Sequence, residues 1–111
     1  MPARTHNPVT IVVSGGVSGN RPKLPIHNQK VQIFEAGSMR LLGEAVTDEG
    51  GEAHVSLRSD VLYPVAATIT VWDGTTPVVQ AKIPRKAVNG LYPGDVWALD
   101  LRHRQLKNEE K

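Results

Sequence analysis

The sequence predicts an all-β protein, a single antiparallel β-sandwich of about seven strands. Three observations carry this expectation. Apolar and polar residues alternate with period two in run after run, no stretch sustains a helical period, and clusters of Gly, Pro, Asn, Asp and Ser separate the runs. With 111 residues the chain has enough length for one modest core and too little for two.

The strands follow in order. "VTIVV" (9–13) is a β-branched run, closed by "SGGVSGNRPKLP", whose Gly, Ser, Asn and Pro content is expected to hold neither strand nor helix. "KVQIFEA" (30–36) alternates Val31 and Ile33 against Lys30 and Gln32, and "GSM" connects it tightly to "RLLGEAVT" (40–47). In "EAHVSLR" (52–58), Ala53, Val55 and Leu57 face one way and His54, Ser56 and Arg58 the other. "AATITVWD" (66–73) sets Ala67, Ile69 and Val71 against Thr68, Thr70 and Trp72. "GTTP" then turns the chain into "VVQAKI" (78–83). The longer connection "PRKAVNGLYPG" leads to "DVWALDLRHR" (95–104), with Trp97, Leu99 and Leu101 on one face. The expected domain is 9–104, preceded by an arm at 1–8 and followed by a charged tail at 105–111 that frays.

Composition excludes several function classes. Charged residues make up 22% of the chain and hydrophobic ones 40%, as in ordinary globular domains. Thirteen Lys and Arg against 11 Asp and Glu leave a net charge of +2, too small an imbalance for a nucleic-acid footprint. The absence of cysteine removes disulfides, thiolate zinc sites and cysteine nucleophiles together. No apolar run reaches signal-peptide or membrane-span length, and Met1–Pro2 reads as a native start. Cytoplasmic synthesis without a leader is therefore expected.

The segment Leu24 to Leu57, "LPIHNQKVQIFEAGSMRLLGEAVTDEGGEAHVSL", resembles the transthyretin-like (prealbumin-like) β-sandwich modules, which include carboxypeptidase regulatory-like domains and bacterial surface adhesin repeats. Pro25, Val31, Ile33, Thr47, Asp48, Gly50 or Gly51, and Val55 carry the pattern. The resemblance implies a sandwich in which Thr47, Asp48, Gly50 and Gly51 form a structural turn. Asp48 would accept turn amides, and the two glycines would take positive φ. A calcium loop would need several more oxygen ligands at alternating positions. The hairpin also resembles that of the transthyretin-related hydroxyisourate hydrolases, and Thr5–His6 matches their N-terminal "TH". Against that activity, Glu52 stands where those enzymes carry an arginine, the chain ends "LKNEEK" instead of Tyr-Arg-Gly-Ser, and His103 aligns poorly with their later histidine.

No other catalytic set emerges. His6, His27, His54 and His103 never fall at the spacing of paired histidine ligands, so no metal site and no cofactor is expected. Ser14, Ser18 and Ser38 lie outside any nucleophile elbow. "SGGVSGN" lacks the lysine and following helix of a phosphate loop, which leaves it as a flexible connection of a kind that commonly docks partners, with Gly15, Gly16 and Asn20 as contact candidates. Arg102 and Arg104 concentrate positive charge near the C-terminus, diluted by Glu109 and Glu110. Trp72, beside Asp73 and the "GTTP" turn, points outward if Ile69 and Val71 face the core, and inward if the strand bulges. By elimination the sequence reads as a non-enzymatic interaction module acting through protein partners within a larger assembly. A virion decoration or tail-associated protein and a secretion-apparatus accessory are examples. The alternatives are a glycan- or peptide-binding module and a diverged hydrolase.

Overall fold

The computed structural model describes residues 8–15, 24–61, 63, 65–83, 90–101 and 105–108. Its strands are β1 (Val9–Gly15), β2 (Leu24–Pro25), β3 (Lys30–Glu35), β4 (Leu41–Val46), β5 (Glu52–Val55), β6 (Ala67–Asp73), β7 (Thr76–Ile83), β8 (Val96–Asp100) and β9 (Gln105–Asn108). They build two sheets. Sheet B has the order β4-β3-β6-β7 and is antiparallel throughout. Sheet A has the order β2-β1-β8-β9, with β5 also on β1. Because β8 occupies one side of β1, β5 and β2 share the other, β5 along Val9–Val12 and β2 at Ser14–Gly15.

The chain is thus an all-β two-sheet sandwich, as its alternation predicts. One pairing departs from an antiparallel pattern: β1 and β8 run parallel, from Thr10 opposite Val96 to Ser14 opposite Asp100. Period-two alternation marks which residues face inward but not strand direction, so the sequence leaves this pairing open.

The inward rows are those the alternation picks out. Val9, Ile11 and Val13 of β1, Ala53 and Val55 of β5, and Trp97 and Leu99 of β8 meet Val31, Ile33, Ala67, Ile69, Val71, Ala81 and Ile83 of sheet B. Each fully buried Ile or Val in this layer contributes roughly 1.5–3 kcal/mol relative to exposure. The β4–β5 connection carries the chain from sheet B to sheet A. The seam is tight: Arg58 N donates to Leu42 O at 3.0 Å, and Gly43 lies against the Ser56 carbonyl with no room for a side chain.

Three expectations are corrected. Leu24–Pro25, placed by composition in a loop, form β2, because the end of β1 offers Ser14 and Gly15 as partners. Gln105–Asn108, expected to fray with the tail, pair with Trp97–Asp100 as β9. Gly51 has a φ of 78°, whereas Gly50 does not enter the left-handed region, so one glycine meets the requirement assigned to two. The Asp48 carboxylate shapes the rest of the turn.

Candidate functional site

Two outward faces and one end of the sandwich hold the candidate residues. The registers place Trp72 beside Lys30, Lys30 beside Val46, and Glu52 beside Val12, while Val13 N bonds Gly51 O at 2.7 Å. Gly15, Trp72, Asp73 and the Thr47–Gly51 turn therefore lie at the same end. Gly16, Asn20, Arg102 and Arg104 lie outside the described residues.

The turn is built as a hydrogen-bonded unit. Asp48 Oδ1 accepts from Gly50 N at 2.9 Å and Glu52 N at 3.0 Å, and Asp48 N donates to Glu52 O at 2.9 Å. The Glu52 amide first, then the Gly50 amide and the nearby His54, hold the Asp48 carboxyl below its ordinary pKa. Thr47 is buried, with Oγ1 accepting from Gln29 N at 3.0 Å. This stitches the turn to the residues that precede β3.

The outward face of sheet B mixes polar with large apolar side chains. Val46, Lys30, Trp72 and Pro77 form one row across the four strands; Glu44, Gln32, Thr70 and Gln80 form the next; Leu41, Phe34, Thr68 and Lys82 the third. Thr68 and Thr70 are buried although they face away from the core, because the longer side chains of the neighbouring strands wall them in. The resulting furrow, about 690 Å³, is lined by Phe34, Met39, Thr70, Trp72, Pro77 and Val78. Met39 reaches it from the β3–β4 turn, where it sits at φ 59° and 50% exposed. Val46 is 58% exposed, Leu41 37% and Val78 36%, so four of the five large exposed hydrophobics among the described residues border this face.

The two tryptophans have opposite surroundings. Trp97 Nε1 donates to the buried Asp95 carboxylate at 3.3 Å, which also accepts from Tyr92 N at 3.0 Å. Trp72 points outward as the alternation predicts, at a register shift between Val71 and Trp72, yet it is half-buried. Its Nε1 is closed to solvent with no hydrogen-bond partner among the described residues.

The outward face of sheet A carries polar groups. Glu52 and His54 alternate onto it from β5, and Asp48 reaches it from the turn; ligand-type atoms of the three lie within 4.8 Å of one another. His54 Nε2 is 3.4 Å from Glu52 Oε1, and His54 Nδ1 is 3.1 Å from Thr10 Oγ1 on β1. Beside them lies a shallow depression of about 500 Å³ lined by Val12, Ser14, Pro25, Gly50, Val96 and Ala98. Spacing between histidines misses this group. The signal is Glu-x-His on one strand, which puts both side chains on one face.

No protein-family model and no curated protein sequence matches the chain. Among the described residues no helix is long and apolar enough to cross a membrane.

Proposed function

We propose that this chain is a non-enzymatic interaction module that works as a subunit of a larger assembly, through an outward face of sheet B that docks on another protein surface. The observation that supports the reading is the apolar border of that face, Val46, Leu41, Met39 and Val78 around Phe34 and Trp72. A two-layer sandwich needs only its inner faces apolar, so large exposed hydrophobics gathered on an outer face, here on either side of the polar Glu44, Gln32, Thr70 and Gln80 row, support an interface. Trp72 is the anchor, a large ring already half-immobilised, so little side-chain entropy is lost on contact. The edge of β7 is a poorer surface, because Pro77 has no N–H and Lys82 places charge beside it.

Light scattering across a concentration series tests this, on the native chain and on Trp72→Ala and Val46→Glu. A discrete oligomer that both substitutions dissociate is the expected result. A monomer at every concentration, unchanged by either, refutes self-association through this face and leaves only docking on a foreign surface. A second reading rests on the furrow, whose threonine floor and aromatic wall suit a short peptide or glycan. Binding on a peptide or glycan array that Trp72→Ala abolishes, from a chain that stays monomeric, would favour it.

A further inference from the structure

We infer that Asp48, Glu52 and His54 form a binding site for a borderline divalent cation, with Zn²⁺ the closest match. The site lies on sheet A and does not rest on the proposed role of sheet B. Its donor set is mixed, one imidazole nitrogen and two carboxylates. Calcium and magnesium favour oxygen-only sets, whereas imidazole with carboxylate suits zinc and its first-row neighbours.

Geometry narrows the choice. In a tetrahedral site with bonds of about 2.0–2.1 Å, two ligand atoms stand about 3.3–3.4 Å apart. His54 Nε2 and Glu52 Oε1 stand 3.4 Å apart, so these two already span an edge of such a tetrahedron. Asp48 Oδ1 is held by the Gly50 and Glu52 amides, which fixes the carboxylate and leaves its second oxygen to complete the set. The separation of up to 4.8 Å closes by rotation of the His54 and Glu52 side chains toward the fixed carboxylate, since these two are 51% and 46% exposed.

Thr10 supplies the second observation, from a different strand. Its Oγ1 sits 3.1 Å from His54 Nδ1. With Nδ1–H donating to that oxygen, the lone pair lies on Nε2, the atom that faces the carboxylates. Metal-binding histidines are commonly oriented in this way through their other ring nitrogen. Thr10 is thus a positioning residue. A shallow depression along Val12 and Ala98 lies on the same outward face, where Val12 is the cross-strand neighbour of Glu52.

Isothermal titration of the full chain with ZnCl₂, followed in parallel by imidazole ¹⁵N NMR, tests the site. The expected result is one ion per chain, with the Nε2 resonance of His54 moving on binding. His54→Ala and Glu52→Gln each weaken binding by at least about tenfold, Thr10→Val by about 10–100-fold as the loss of an orienting group does, and His27→Ala has no effect. Asp48 is left intact because its carboxylate holds the turn. Absence of binding at millimolar zinc, or binding that His54→Ala leaves unchanged, overturns the inference. So does full competition by equimolar Mg²⁺, which would reveal a plain acidic cluster.

Discussion

Replacing Gly43 by alanine tests the seam between the sheets. A Cβ at this position would drive into the Ser56 carbonyl and come within 2.7 Å of Val55 Cγ1, closer than carbon atoms pack. The carbonyl belongs to backbone and cannot swing aside as a side-chain tip would. The Arg58–Leu42 hydrogen bond and the β1–β5 ladder hold it from both sides. Forcing a methyl group into such a contact costs about 1–3 kcal/mol, and a backbone obstacle puts the value near the upper end. For a chain of this length that is roughly a 10 °C fall in Tm. Urea unfolding followed by tryptophan fluorescence reads the change, with an unaltered denaturant slope confirming that the native state is what moved. Gly50→Ala is the control. Its Cβ would find only Asp48 Oδ1 at 3.5 Å, and its backbone lies outside the left-handed region. Alanine there is neutral, or stabilising by up to about 1 kcal/mol through a less disordered unfolded chain. If Gly43→Ala unfolds within about 0.5 kcal/mol of the native chain, the range of an ordinary surface change, β4 and β5 are not in close contact and the reasoning fails.

Thr47→Val keeps the shape of a buried side chain and removes the acceptor for Gln29 N, so it costs about 1–3 kcal/mol in the same unfolding experiment. An unchanged midpoint would mean the bond is not made. The Arg58 fork on Asp60, at 2.9 and 2.8 Å, lowers the aspartate pKa to about 2. Because the folded pKa lies below the unfolded one, the contribution is complete above about pH 4 and disappears as pH falls through 2. Carboxyl ¹³C NMR should give that low midpoint in the native chain and the ordinary value near 4 in Arg58→Gln. Equal midpoints in the two would refute the pairing.

Much of the fold is legible residue by residue, because apolar core-facing residues recur with period two along β1, β3, β5, β6 and β8. Trp97 and Leu99 reveal their inward face this way, and so do Ile69 and Val71. What stays hidden depends on partners distant in sequence. Leu24–Pro25 become a strand only because the end of β1 lies alongside, and Gln105–Asn108 only because β8 does. Trp72 illustrates both sides: alternation gives its direction, while its half-burial and the register shift beside it depend on the neighbouring strands, which no local pattern records. The Asp48, Glu52 and His54 group divides likewise. Glu-x-His on one face can be read from the string, but Thr10 joins through a cross-strand pairing, and Asp48 through the closure of a turn.

The parallel pairing of β1 with β8 governs how the chain reaches its structure. Sheet A is threaded through its first long strand, yet one side of β1 is filled only by a segment near the opposite end of the sequence. During synthesis β1 must wait with that edge open while β3, β4, β6 and β7 emerge and assemble as sheet B and β5 takes the other edge of β1. The β1–β8 ladder spans the longest sequence separation among the described strand pairs, and such non-local closures place all-β domains in the millisecond-to-second range of folding rates. Until it closes, Val9, Ile11 and Val13 offer an unpaired β-branched edge to any neighbouring chain. The interval before β8 arrives is the period in which this protein is most prone to aggregate.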